Sequence, residues 1–133
     1  MRTGSCLCGG VRLEVAGDLP DIQACYCGSC RKAQGSAFVA VLPVAKADVR
    51  FTAGEDLLAA FESSPGKHRV FCRVCGSPIL SRAAALPDRL RLRAGLLDCP
   101  LGVKIASHAF VAEAADWCVI DGDAPRYPGP RPA

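Results

Sequence analysis

The chain has 133 residues, of which half are hydrophobic and 22% are charged, and this is typical of one globular domain with a real core. The formal net charge is only +3 and no run of five or more like charges occurs, which argues against a nucleic-acid-binding surface. The longest apolar stretch, residues 37–45, is interrupted by Pro43 and is too short to span a bilayer, so we predict no membrane partner. The N-terminus lacks the apolar segment of a secretory signal, and we therefore expect a cytoplasmic location.

The predicted elements are short and mostly strands. Val11, Leu13 and Val15 alternate with charged residues in the first strand, and residues 29–34 fit a single helical turn. Alternation or short β-branched runs predict further strands at 37–42, 49–52, 68–72, 79–81, 89–93, 106–111 and 117–120. Residues 56–63 fit either a helix or a strand. Residues 125–133 contain four prolines and predict an extended, poorly ordered tail after one mainly β domain over residues 1–124.

Seven of the nine cysteines fall into three closely spaced groups: an N-terminal pair (Cys6 and Cys8), a triad (Cys25, Cys27 and Cys30) and a central pair (Cys72 and Cys75). In a reducing compartment such groups favour metal binding over disulfides, because a tight turn can aim two thiolates at one ion. The odd number of cysteines also argues against a set of disulfides.

These groups can be divided between metal sites in two ways. Joining the N-terminal pair to the central pair gives a closed four-thiolate site and leaves the triad with an open coordination position, as in catalytic zinc sites. Joining Cys27 and Cys30 to the central pair instead resembles a zinc ribbon and leaves three cysteines unused. The spacing favours the first division without excluding the second, and an iron–sulfur cluster is a more remote alternative.

Cations beside the triad are candidates to balance its charge. Three thiolates on Zn²⁺ carry a formal charge of −1, and a thiol that binds there as a thiolate would bring the charge to −2. Arg31 and Lys32 directly follow Cys30 and are predicted to offset this charge near a bound ligand. The alternative is that both belong to a solvated face.

Other conspicuous residues are interpreted as structural. Cys99 and Cys118 stand alone and are predicted to be small buried hydrophobes. His108 is interpreted as a core histidine with a hydrogen bond, with a proton shuttle as the alternative. Trp117 is predicted to pack in the core. The arginines of the 89–93 strand are predicted to form a solvated face, with contact to a substrate carboxylate as the alternative.

Six motifs follow one another along the chain: GSCLCGGVRLEV, CYCGSCRKAQGSAF, FCRVCGSPI, LRAGLLD, SHAFV and DWCVIDGDAPRYP. In sequence and order they resemble the glutathione-dependent formaldehyde-activating enzyme family, also called the centromere protein V group. The family often has histidine at the position of Tyr26. The resemblance implies a β-tent fold of short antiparallel strands stapled by zinc, with a structural ion on Cys6, Cys8, Cys72 and Cys75 and a catalytic ion on Cys25, Cys27 and Cys30.

The resemblance also implies a reaction, the formation or breakdown of S-hydroxymethylglutathione. Our leading hypothesis is therefore a zinc-dependent carbon–sulfur lyase that acts on a thiol–aldehyde adduct, with glutathione as the default thiol. The alternative is a non-catalytic zinc module that binds a protein partner. An enzyme should have a cleft at the triad with room for a ligand sulfur.

Overall fold

The computed structural model describes residues 1–132, which form ten strands, one α-helix and four short 3-10 helices. The strands are β1 (Arg2–Ser5), β2 (Arg12–Val15), β3 (Ile22–Cys25), β4 (Val39–Ala45), β5 (Val49–Ala53), β6 (Leu58–Ser64), β7 (Lys67–Cys72), β8 (Pro78–Ala83), β9 (Arg89–Arg93) and β10 (Ile105–Ala109). Helix α1 is Gly28–Gln34, and the 3-10 helices are Lys46–Asp48, Glu55–Leu57, Ala94–Leu96 and Val111–Glu113. The predicted mainly β architecture of short strands is confirmed.

The strands form two sheets. A three-stranded antiparallel sheet has the order β1-β2-β5, and a seven-stranded sheet has the order β10-β3-β4-β9-β8-β7-β6. All pairs in the larger sheet are antiparallel except β3 and β10, which run parallel. None of the helices in the described chain has the length and apolar character that a bilayer crossing requires.

The larger sheet is covered on both faces in its centre. Because side chains alternate along a strand, β4 sends Leu42 and Val44 to one face and Val39 and Val41 to the other. The first face packs against the smaller sheet, where Leu13 and other buried side chains complete the main core. The second face carries a smaller cluster built from Val39, Val41 and two cysteines of the triad, Cys25 and Cys30. The triad therefore lies behind the main core, across the larger sheet.

The structure corrects several expectations about the strands. Residues 56–63 are mainly strand β6, while β1 and β3 were not predicted because their sequences, RTGS and IQAC, lack the alternation of apolar and charged residues that identified β2. The predicted strand at 117–120 is wrong: these residues have no pairing partner within residues 1–132, and the side chain of Trp117 is 69% exposed rather than in the core. The prediction that Cys99 and Cys118 are buried is also wrong, since Cys99 is exposed and Cys118 is half-buried.

The described part of the Pro-rich segment, residues 125–132, is hydrogen-bonded to the domain. The N–H of His108 donates to the carbonyl of Pro125, and the N–H of Tyr127 donates to the carbonyl of His108. Beyond β10, the N–H of Phe110 donates to the carbonyl of Gly129. The described part of the segment therefore lies along the outer edge of β10, where it satisfies backbone groups that an edge strand would leave unpaired.

A glycine contact fixes the loop that carries the N-terminal cysteine pair. Gly54 follows β5 with a φ of 76°, and a Cβ atom there would overlap the carbonyl oxygen of Gly10 and approach the Cα atom of Val11 to 2.9 Å. Gly10 in turn donates its N–H to the Sγ atom of Cys8 at 3.4 Å. Close approach of two backbone segments thus holds the cysteine loop in place.

We predict that Gly54→Ala destabilises the protein beyond the cost of its backbone conformation. Gly102→Ala is the matched control, since Gly102 has a φ of 71° and open space around its Cβ position. Both substitutions place an alanine in the left-handed backbone region, but only Gly54→Ala also brings its Cβ atom into overlap with Gly10. Gly54→Ala should therefore lower the free energy of unfolding by about 1–2 kcal/mol more than Gly102→Ala. Denaturant unfolding at fixed zinc concentration measures this difference, and equal losses would contradict the tight contact.

Candidate metal centres and their cleft

Four thiol groups from distant parts of the chain converge at one end of the molecule. Cys6 and Cys8 follow β1, Cys72 ends β7, and Cys75 lies in the turn before β8. Their Sγ atoms all lie within 4.8 Å of one another, with 3.5 Å between Cys6 and Cys8 and 3.9 Å between Cys8 and Cys72. These distances are too long for a disulfide and match the edge of about 3.8 Å expected for a tetrahedron of thiolates around zinc.

Hydrogen bonds favour the thiolate form of Cys6 and Cys75 in this cluster. At Cys8, the N–H of Gly10 is outweighed by contact with the Cys6 thiol and by burial, which raise the pKa of Cys8 to about 11. Burial opposes ionisation of Cys6, but the N–H of Val11, 3.2 Å from its Sγ atom, gives Cys6 a lowered pKa. Contacts with the side chain and backbone of Ser77, whose hydroxyl oxygen lies 3.3 Å from the Sγ atom of Cys75, lower the pKa of Cys75 to about 5. Since a metal ion binds the thiolate and not the thiol, these donors suit the cluster to a metal.

The triad is assembled locally where β3 leads into α1. Cys25 ends the strand, Cys27 is the N-cap of the helix, and Cys30 lies in its first turn. The extended backbone of Cys27 (φ −63°, ψ 155°) lets its Sγ atom accept the N–H of Cys30 at 3.4 Å. The three Sγ atoms also lie within 4.8 Å of one another. One strand–helix junction thus suffices to aim three sulfurs at one point.

The triad combines buried thiols with a guanidinium. Nη2 of Arg69 lies 3.8 Å and Nη1 lies 4.0 Å from the Sγ atom of Cys30. The hydrogen bond from the Cys25 thiol is the largest of the causes that lower the pKa of Cys30 to about 4, with Cys27 and Arg69 acting in the same direction. The same contact with Cys30, together with burial, raises the pKa of Cys25. A thiolate at Cys30 would therefore lie next to the positive charge of Arg69.

A second guanidinium lies buried behind the triad. Arg93 is 5% exposed, and its donors reach the side chains of Gln34 at 3.2 Å and Ser81 at 3.4 Å. Burial, followed by the positive charge of Arg69, lowers the pKa of Arg93 to about 10. No carboxylate in the described chain pairs with Arg93. The prediction of a solvated face is therefore wrong for Arg93, because α1 covers this end of β9.

The triad opens into a cleft of about 590 Å³ on the second face of the larger sheet. Within residues 1–132, the lysine, arginine, aspartate and glutamate side chains that line it are all cationic: Lys67, Arg69, Arg89, Arg91 and Arg131. Among residues 1–132 none of these five takes part in an ion pair. A cleft with unpaired cations on one side of a thiol cluster is suited to an anionic ligand that also carries sulfur.

Strand register explains how these cations meet. Arg69 of β7 pairs with Ser81 of β8, which pairs with Arg91 of β9, and Arg91 pairs with Pro43 of β4. Directly paired residues point to the same face of a sheet, and so do residues two apart on one strand. Lys67 and Arg69 therefore join the arginines of β9 on the face that carries the triad.

The sequence-predicted cations occupy a different position. Arg31 and Lys32 lie on α1 outside the lining of the cleft, with Lys32 exposed and the Nε atom of Arg31 buried without a hydrogen-bond partner. Arg69 makes the contact with the triad and was missed, because it is distant in sequence. The sequence contains one signal for Arg69: because it alternates with Val70 in the strand predicted at 68–72, its side chain is expected on the face away from the core. Only the strand order shows that this face carries Arg69 close to Cys30.

Next to the triad, Tyr26 and His108 form a buried pair. The Tyr26 hydroxyl lies 2.8 Å from Nδ1 of His108, and both side chains are almost fully buried. Burial, and then the charge of Arg126, lower the pKa of His108, so the ring is held neutral. The interpretation of His108 as a hydrogen-bonded core histidine agrees with this geometry.

Both cysteine clusters fit a metal ion by their chemistry. Each offers convergent sulfur donors at the spacing of one coordination sphere, and each contains N–H donors directed at sulfur. The four-thiol cluster supplies a complete tetrahedral set. The triad supplies three donors next to a cleft, which leaves room for a ligand from outside the protein.

Comparisons with known proteins agree with this geometry. The family model for the glutathione-dependent formaldehyde-activating enzyme matches residues 1–113. A protein of Halomonas elongata provisionally named a glutathione-dependent formaldehyde-activating enzyme is 29% identical over 126 residues, covering 89% of this chain and 80% of its own. An uncharacterized lyase of Schizosaccharomyces pombe is 29% identical over 76 residues, covering 57% of this chain and 53% of its own.

A crystal structure of a Rhodobacter sphaeroides protein has the same fold. It superposes with a TM-score of 0.64 at 24% identity, covering 77% of this chain and 98% of that one. This likeness concerns the fold, whereas the family model covers the sequence that carries both cysteine clusters. The chain belongs to the glutathione-dependent formaldehyde-activating enzyme family.

Proposed function

We propose that the protein is a zinc-dependent carbon–sulfur lyase that forms or breaks S-hydroxymethylglutathione, a thiol–aldehyde adduct. The observation that supports this most strongly is a three-thiol cluster next to a cleft to which the described residues contribute five cationic side chains and no carboxylate side chain. A closed four-thiol cluster would have no position for a substrate sulfur, whereas three thiols leave one. The family match and the similarity to a named lyase support enzymatic activity.

The two clusters have different roles in this proposal. Cys6, Cys8, Cys72 and Cys75 hold a structural zinc ion that ties the two sheets together. Cys25, Cys27 and Cys30 hold the catalytic ion, and zinc bound there would supply a fourth position at which a thiol is favoured as its thiolate. The assignment of zinc rests on the all-sulfur donor sets.

The reaction balances without a further reactant. In the direction of synthesis, a bond forms between the thiol sulfur and the aldehyde carbon, and the proton lost by the thiol ends on the former carbonyl oxygen. In the reverse direction the carbon–sulfur bond breaks and the same proton returns to sulfur. The triad orients the sulfur, and the cleft leaves about 590 Å³ for the rest of the adduct.

Charge balance assigns roles to the basic side chains. A three-thiolate zinc site with a bound thiolate carries a formal charge of −2, and Arg69 is close enough to Cys30 to offset part of it. Arg93 adds a buried positive charge behind the site. Glutathione also carries two carboxylates, which Lys67, Arg89 and Arg91 can reach in the same cleft. The proposed contribution of Arg31 and Lys32 is a longer-range one, from the helix beside the cleft.

Loss of one ligand should affect the two sites differently. Metal analysis of the wild-type protein should approach two zinc ions per chain. Cys72→Ser should unfold or strongly destabilise the protein, because that site joins segments distant in sequence and its metal-binding energy is folding energy. Cys30→Ser should remain folded with about one zinc ion fewer, since the triad closes only a small local loop.

Zinc analysis and thermal unfolding of both variants check this prediction. Cys99→Ser is the matched control, because Cys99 is exposed and belongs to neither cluster. It should keep both the zinc content and the melting temperature of the wild type. Equal destabilisation by Cys72→Ser and Cys30→Ser would contradict the division into structural and catalytic sites.

Binding of glutathione should depend on its sulfhydryl group. Because coordination requires the thiolate, affinity should rise by up to roughly tenfold per pH unit below the pKa of the free thiol. S-methylglutathione keeps both carboxylates but offers only a thioether, a poor zinc ligand, and should bind more weakly. Cys30→Ser should abolish the pH dependence.

Calorimetric titration over a range of pH measures these affinities. Equal affinity for glutathione and S-methylglutathione, or no binding of either, would refute thiol activation at the triad. That result would favour the alternative of a non-catalytic zinc module that binds a protein partner.

A further inference from the structure

We infer that the C-terminal segment is part of the substrate site and that Arg131 is a specificity-determining residue for an anionic thiol. The inference rests on the proposed function and adds the element that selects the charge of the substrate. Pro130, Arg131 and Pro132 line the cleft into which the triad opens. The family match ends at residue 113, so this wall of the cleft comes from sequence outside the matched region.

The segment is held in position by backbone hydrogen bonds. Between residues 108–112 and 125–129 there are five, with N···O distances from 2.8 to 3.4 Å, and the last residue anchored along the segment is Gly129. Gly129 accepts the N–H of Phe110, which itself lines the cleft and packs against the triad cluster. The anchor therefore ends directly beside the triad, and the next three residues continue along the cleft.

The local sequence limits the conformations available to Arg131. Each flanking proline has a fixed φ, and a residue that precedes proline is confined to extended conformations. The Pro-Arg-Pro sequence thus restricts the backbone at Arg131 before any ligand binds. Restricting the residue in advance lowers the entropy lost when its guanidinium contacts a carboxylate.

The charges of the cleft indicate what Arg131 meets. The other four cations of the lining come from β7 and β9, and no carboxylate side chain of residues 1–132 lies among the lining residues. With its proposed zinc ion the triad would carry a formal charge of −1 and would balance only one of these cations, so the cleft would keep a net positive charge. A thiol with carboxylates complements both features, whereas a neutral thiol complements only the triad.

Isothermal titration of the zinc-loaded full chain with two probes tests this assignment. Glutathione is the carboxylate-bearing thiol, and 2-mercaptoethanol is the neutral one. Arg131→Gln should weaken glutathione binding about fivefold, the effect expected of one charged contact in a solvent-accessible cleft, and leave 2-mercaptoethanol binding unchanged. A chain that stops after Gly129 keeps all five anchoring hydrogen bonds and should show the same selective loss.

Two further variants serve as controls. Arg82→Gln removes the same charge from an exposed arginine outside the cleft and should not change the affinity for either probe. Arg131→Lys keeps the charge and should restore most of the glutathione affinity.

The outcomes that would overturn the inference are distinct. Equal glutathione affinity in the wild type and Arg131→Gln would overturn it alone. An equal loss of affinity for both thiols in Arg131→Gln would also overturn it. So would a wild-type protein that binds 2-mercaptoethanol but not glutathione. If the wild type binds neither thiol, the proposed function fails and the inference fails with it.

Discussion

The convergence of four thiol groups joins the two sheets of this protein. Cys6 and Cys8 extend from β1 of the smaller sheet, and Cys72 and Cys75 lie at the end of β7 of the larger one. In a domain of 133 residues the hydrophobic core alone gives limited stability, and a metal ion held at this point would add its binding energy to folding. The larger sheet is thereby fixed on one face against the main core, and its other face is free to carry chemistry.

The positive charge on that second face results from the alternation of side chains along the strands. The residues that precede and follow core positions point away from the core, and on β7 and β9 all of them except Phe71 are basic. Where α1 covers the sheet, Arg93 is buried and hydrogen-bonded, and where the sheet is uncovered, Arg89 and Arg91 line the cleft. The same period of two that builds the core therefore also places positive charge around the triad.

The features predicted from sequence were those that depend on local spacing. The triad is a strand–helix junction within six residues, and its spacing indicated three ligands at one point. The mainly β class followed from alternation. The contact of Arg69 with Cys30 could not be predicted, because it depends on strand order across the sheet. Composition also gave a wrong prediction at Trp117, where the apolar run pairs with no strand of residues 1–132. At residues 125–129 the prolines suggested a poorly ordered tail, but the segment is anchored by backbone hydrogen bonds.

The central claim is that the triad accepts a thiol from outside the protein at a site distinct from the closed four-thiol cluster. X-ray absorption at the zinc edge of the fully loaded protein, with and without glutathione, tests this most directly, since it counts sulfur ligands. Averaged over a four-sulfur and a three-sulfur site, the protein alone should show about 3.5 sulfurs per zinc, rising to about 4 with saturating glutathione. An average that stays unchanged when glutathione is added would contradict the account.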